Sequence, residues 1–205
     1  MKVYTLGHGA LSIEKFLQIL RENRINLVVD IREIPFSRYH PHFNRNKLEE
    51  VLKEKNIEYM YAGDYLGGSA EFHKDLLEYI KNKGDKEKIN SENKLLKLIS
   101  EEERKIIFSR ATEFSNDEKR KIKITEKYLK RYITDSRREK AISFLRENIF
   151  TEKNKDKNIC FLCSEKDYRY CHRYYLLAED WLKEFPQVEV IHIKYNDSPG
   201  QQELF

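Results

Sequence analysis

Asn158-Ile159-Cys160-Phe161-Leu162-Cys163-Ser164-Glu165 is the stretch on which the fold turns. It is a short apolar run after a charged segment, the pattern of an interior strand, and it ends on a thiol, a hydroxyl and a carboxylate. Cys171-His172-Arg173 follows shortly after and opens a segment in which Leu176, Leu177, Trp181 and Leu182 recur at helical spacing. That spacing predicts a helix over 171–184 with the triplet in its first turn. Unsatisfied amide groups and the helix dipole favour an anion at such a position, and His172 and Arg173 would add donors there.

Three chemistries compete for the thiols. Cys160 reads as a small buried hydrophobe, the commonest fate of an unpaired cysteine. A zinc set drawn from Cys160, Cys163, Cys171 and His172 has a good first pair and an awkward second, because the adjacent Cys171 and His172 are not expected to reach one tetrahedral ion; no metal and no other cofactor is therefore expected. A nucleophilic thiolate at Cys171 would be activated by a helix N-terminus and an imidazolium, yet phosphatase-like and rhodanese-like sites cradle their oxyanion in a longer loop between cysteine and arginine.

The beginning of the chain matches this strand and helix. Val3-Tyr4-Thr5-Leu6 predicts a first strand that runs into Gly7-His8-Gly9, and Ser12 is placed to cap a helix with Ile13, Phe16, Leu17 and Leu20 on its apolar face. Leu27-Val28-Val29 predicts a second strand delivering Asp30 and Arg32 at its carboxyl end, followed by Pro35 and Ser37. An isolated Asp-x-Arg is more simply a carboxylate holding an arginine. Two strand ends that both carry polar groups instead suggest a ligand edge, since open α/β sheets bind ligands beyond the carboxyl ends of their strands.

Four blocks, Thr5-Leu6-Gly7-His8, Asp30-Ile31-Arg32-Glu33-Ile34-Pro35-Phe36-Ser37, Tyr65-Leu66-Gly67-Gly68, and Cys163-Ser164-Glu165 with Cys171-His172-Arg173, resemble the domain of unknown function 488 family. The resemblance spans about residues 1–70 and 136–195, and it implies an α/β fold whose four blocks converge on one pocket. Gly9 departs from the family pattern, which more often has serine there.

Taken together, the segments predict an α/β fold: a mainly parallel sheet with helices on both faces, built from strands at Val3–Leu6, Leu27–Ile31, Ile57–Met60, Ile159–Cys163 and Val188–Ile193. A single domain is expected over 1–195, with a charged helical insertion at about 85–135 and a flexible tail at 196–205. No apolar run is long enough to span a bilayer, and three cysteines without a recognisable secretory leader suggest a reducing, cytoplasmic setting.

Charge is segregated along the chain. Residues 81–157 hold 23 Lys and Arg against 15 Asp and Glu, a net of +8 in a chain of net +4, so the remainder carries −4. Basic and aromatic residues interleave around Lys121, Lys127, Lys130 and Arg131, and again around Arg38, Arg45 and Lys47 just after the Asp30-Arg32 strand end, a composition suited to phosphate contact with base stacking. A helical insertion whose Lys and Glu pair along its own surface would account for the first cluster equally well. The Ser198-Pro199-Gly200 break isolates Gln201, Leu204 and Phe205, which resemble the short Gln-x-x-Leu-Phe peptides that dock on a sliding clamp.

The expected function is accordingly a DNA-binding repair enzyme, a DNA glycosylase that excises a damaged base, with DNA and a sliding clamp as partners and no membrane. In that scheme Asp30 stabilises the cationic sugar or positions water, and His8, Glu165 and His172 orient the base or transfer a proton. Arg32 and Arg173 hold phosphate or the base edge, while Gly7, Ser37, Tyr65, Gly67 and Gly68 line the pocket. Base excision needs no nucleotide cofactor, in keeping with the lack of a P-loop or G-x-G-x-x-G pattern. The alternatives are a non-catalytic module that binds a nucleotide or phospho-ligand, and a thiol- or metal-dependent enzyme.

Overall fold

Among the described residues, two of the five strands are buried along their whole length, as interior strands of a parallel sheet are when both faces are covered. In the computed structural model, which describes residues 1–68 and 135–195, these are β2 (Leu27–Asp30) and β4 (Ile159–Cys163), every residue of which is buried. With β1 (Lys2–Gly7), β3 (Glu58–Tyr61) and β5 (Glu189–His192) they form one sheet of order β3-β2-β4-β1-β5. All four pairings are parallel. The α/β class and its parallel sheet are thus as the sequence predicts, with strand ends shifted by a residue or two.

Strand β4 lies between β1 and β2. Its register sets Gly7 opposite Cys163 and Asp30 opposite Leu162, so three adjacent strands end side by side. Beyond the ends the ladder continues through His8 N to Cys163 O at 2.9 Å, Gly9 N to Ser164 O at 2.9 Å and Ile31 N to Leu162 O at 3.0 Å.

The first helix begins at an ordinary side-chain cap. Ser12 Oγ accepts from Lys15 N at 3.3 Å to start α1 (Ile13–Glu22), which buries Phe16, Ile19 and Leu20. Helix α1 and α2 (Arg45–Glu54) end alike, with a non-glycine residue in the left-handed region, Arg24 at φ 54° and Asn56 at φ 57°. In each case the next amide bonds back into the last turn, Ile25 N to Leu20 O and Ile57 N to Leu52 O, both 2.9 Å. These turns feed β2 and β3. Phe43 meets Phe16 edge-on with ring centroids 5.1 Å apart and shares a core cluster with Leu6, Leu20, Val28, Leu48, Leu52 and Leu162.

Helix α3 (Gly63–Leu66) follows β3, and α4 (Asp135–Phe144) packs beside it through Tyr65 and Phe144, stacked at 4.4 Å. The sequence did not single out α4, whose buried residues Ala141 and Ile142 fall late in a mostly charged helix that continues into wider turns at Leu145–Ile149. The helix predicted over 171–184 is corrected. The segment breaks into a 3-10 turn at Tyr168–Tyr170, a wide π-type turn at Arg173–Ala178 and a second 3-10 turn at Trp181–Glu184. Its apolar spacing reflects burial of Leu176, Leu177, Trp181 and Leu182 by these successive short turns.

The basic insertion, with Lys121, Lys127, Lys130 and Arg131, and the tail with Gln201, Leu204 and Phe205 lie outside the described residues. No helix among the described residues is long and apolar enough to cross a membrane.

Candidate functional site

Polar side chains from β1, β2 and β4 meet at the carboxyl edge of the sheet. Asp30 is fully buried and both its oxygens are taken: Oδ1 accepts from Arg32 N at 3.1 Å and Arg32 Nε at 2.8 Å, and Oδ2 from Arg32 Nη2 at 2.5 Å and the Tyr59 hydroxyl at 2.7 Å. Burial, then the Asp30 charge beside it, pushes the Tyr59 phenol well above its usual value, so it stays a donor. Arg32 Nη1 donates to Phe43 O at 2.9 Å and lies 3.4 Å from His8 Nε2.

His8 is 4% exposed and stacks on Phe43 at 4.1 Å. Its Nδ1 lies 3.0 Å from Gly9 O, a carbonyl that can only accept, which assigns the proton to Nδ1 and leaves Nε2 to accept from Arg32. Burial, followed by the neighbouring Arg32 charge, lowers its pKa from 6.5 to about 3. As pH falls the unfolded chain, titrating near 6.5, binds a proton that the folded imidazole refuses, so this contribution to stability is full above about 6.5 and is lost as pH falls toward 3. By pH 5 a wholly buried imidazole of this kind costs about 2 kcal/mol relative to pH 7. Urea midpoints at pH 7 and pH 5 should therefore converge in a His8→Gln variant more than in the wild type; an equal drop in both proteins would contradict the neutral, buried state of His8.

Arg173 is 1% exposed, and its guanidinium donates to the carbonyls of Glu165 and of Lys166, the latter at 2.8 Å. The expected anion site at a helix N-terminus is corrected here, because Arg173 opens a six-residue π-type turn and turns Nη1 and Nη2 to clasping the loop after β4. That loop approaches β1 so closely that a Cβ on Gly7 would overlap the Glu165 carbonyl and come within 2.8 Å of Arg173 Nη1. Gly9 has φ 51°, a left-handed backbone that serine would strain, and a Cβ there would meet the Tyr195 hydroxyl at 2.7 Å.

The thiols form a second cluster against the first. Cys163 Sγ and Cys171 Sγ are 3.1 Å apart, and His172 Nδ1 lies 3.7 Å from the former and 3.8 Å from the latter. The hydrogen bond from Cys171 holds the Cys163 thiol well below its ordinary pKa against the opposing effect of burial, with His172 and Arg173 adding to the lowering. Burial, then the hydrogen bond to Cys163 and its charge, drive Cys171 the other way. Cys160 faces the core, and burial pushes it up to about 12. The expectation that adjacent Cys171 and His172 diverge is also corrected. Cys171 is extended (φ −132°, ψ 145°) and His172 helical (φ −59°, ψ −24°), and this change of backbone turns both side chains to one place.

The other predicted residues are spread around this centre. Glu165 is exposed at the end of β4. Ser37 Oγ accepts from His40 N at 3.0 Å, stabilising its own loop. Tyr65 is half exposed, the Gly67 carbonyl accepts from Arg137, and Gly68 lies against the His172 ring. Arg38, Arg45 and Lys47 are exposed, Arg45 over the Tyr61 ring at 4.3 Å. Sequence reasoning did not pick out Tyr59 or Phe43. Tyr59 lies two residues before the Tyr61 that pairs with Asp30 on the neighbouring strand, a signal legible only once β2 and β3 are aligned.

The fold and this cluster define a parallel α/β protein with its candidate site across the carboxyl ends of adjacent central strands. Residues 12–90 match the model of the family described as Domain of unknown function DUF488, so the resemblance carried by the motif blocks is borne out over that stretch. The match contains the Asp30–Ser37 and Tyr65–Gly68 blocks. Comparison with curated proteins and with solved structures finds no match.

Proposed function

We propose that this protein binds DNA and acts on it as a repair glycosylase. The observation that carries the reading is the loop directly after Arg32, where Ile34, Phe36 and Tyr39 are 50%, 64% and 80% exposed and Arg38 is exposed among them. Exposed aromatic side chains interleaved with a cation, at the rim of a buried polar centre, suit base stacking with phosphate contact.

Roles follow from accessibility. Asp30 is wholly engaged by Arg32 and Tyr59, so it acts by fixing the Arg32 guanidinium. The exposed carboxylate of the set, Glu165, is the group that stabilises a cationic sugar or positions water when a flipped base enters. The acidity of His8 rules it out as a proton donor near neutrality, and it serves as a neutral acceptor that orients Arg32.

The test is a panel of labelled duplexes, each with one deaminated or oxidised base, treated with alkali after incubation. Scission on one lesion, lost in Glu165→Gln, is expected, and Tyr39→Ala should weaken duplex binding about tenfold through loss of one stacking contact. Binding without scission across the panel would favour a non-catalytic nucleotide-binding module, and no binding would end the nucleic-acid reading.

A further inference from the structure

We propose that Cys163, Cys171 and His172 form a site for one divalent metal ion of the zinc class. Their ligand atoms all lie within 4.8 Å of one another, the residues being 4%, 2% and 9% exposed. Tetrahedral zinc with bonds of about 2.3 Å to sulfur and 2.0 Å to nitrogen sets sulfur–nitrogen separations of about 3.6 Å and a sulfur–sulfur separation of about 3.8 Å. The sulfur–nitrogen distances here, 3.7 and 3.8 Å, already meet that geometry. The thiol pair, at 3.1 Å, needs to open by a small side-chain rotation.

The surroundings favour a metal over a bare thiol pair. His172 Nε2 lies 3.2 Å from the Ile31 carbonyl, an acceptor only, which puts the proton on Nε2 and turns the Nδ1 lone pair toward both sulfurs. A ligating histidine is held in this way, its remote N–H donating to a backbone carbonyl. Arg173 N donates to Cys171 Sγ at 3.4 Å, the amide-to-sulfur bond that steadies a coordinating thiolate. Gly68 lies against the imidazole, since a Cβ there would come 3.3 Å from Nδ1.

Charge supplies a further reason. Two thiolates, a neutral imidazole and a divalent cation sum to zero, a unit that burial tolerates where a lone thiolate pair would not. Three protein ligands leave the fourth coordination position to water or to a substrate atom. A disulfide is the competing fate of the same sulfurs, but it requires about 2.05 Å between them and gives His172 no role. The metal site does not rest on the glycosylase reading; it takes His172 out of the groups open to a base and leaves Glu165 and Arg32 untouched.

The test uses the full chain purified under reducing conditions, loaded with Zn2+ and separately with Co2+, and analysed for bound metal after gel filtration. About one ion per chain is expected. The cobalt form should show thiolate-to-metal charge transfer and the strong visible bands of tetrahedral coordination. Cys163→Ala, Cys171→Ala and His172→Asn should each lower affinity more than tenfold, while Cys160→Ala should not. Because a ligand variant can fail to fold, alkylation of the wild type gives a second readout: zinc should slow modification of Cys163 and Cys171, mapped by peptide mass, and a chelator should restore it, with Cys160 in the core unreactive in both states. Less than a tenth of an ion bound by the reduced protein, or a cobalt spectrum lacking the thiolate band, would overturn the site.

Discussion

Asp30→Ala is expected to cost about 3–5 kcal/mol of folding stability, the usual penalty for leaving one member of a buried ion pair alone. Arg32 is 4% exposed, and among the described residues its Nε and Nη2 are neutralised by Asp30. What remains, the Phe43 carbonyl and a neutral His8, offers dipoles to a full charge. Asp30→Asn should fall between, since an amide oxygen can still accept from Arg32 while the charge is gone. Asp30→Ala combined with Arg32→Met should recover much of the loss, because the pair as a whole is replaced by apolar volume. Urea unfolding with an unchanged slope gives the measurement. A loss under about 1 kcal/mol, the worth of an exposed pair, would mean that water reaches the guanidinium and that the centre is more open than its burial indicates.

Gly7→Ala is expected to lower Tm by roughly 10 °C, corresponding to about 3 kcal/mol for a chain of this length. A methyl group at position 7 cannot be placed without moving the Glu165 carbonyl, and behind that carbonyl stands Arg173. The accommodation therefore has to separate β1 from the loop after β4 and to break a clasp made by a residue that is 1% exposed. A thermal melt reads the effect directly. A Tm within a degree or two of the wild type would show that the loop yields and that Arg173 does not fix it.

Much of the site was legible because it sits on strands whose apolar runs give them away. Leu27-Val28-Val29 and Ile159–Leu162 announce buried parallel strands, and a polar residue at the end of such a strand has few places to go but the sheet edge. The helix over 171–184 was misjudged for a related reason. Successive short turns bury one side of a segment much as a regular helix does, and hydrophobic spacing does not distinguish three-, four- and five-residue hydrogen-bond steps. The convergence of Cys171 with His172 was hidden because it depends on a change of backbone between two neighbours, which composition does not encode. Likewise the share of Asp30 claimed by Tyr59 comes from alignment of separate strands, and Phe43 lay inside a segment that its charges made look like a surface rim.

The position of β4 has a consequence for how the molecule comes into being. Strands β1, β2 and β3 are all synthesised before residue 68, yet β1 and β2 are held one strand apart by a partner that begins at residue 159. In the finished sheet that partner fills a gap about 10 Å wide between β1 and β2, and it satisfies the facing backbone of both. The central sheet cannot close until residues 159–163 have been made. Its most apolar strand arrives late as a keystone, and the same event that closes the sheet delivers Cys163 beside His8 and Arg32, so the candidate site and the finished sheet come into existence together.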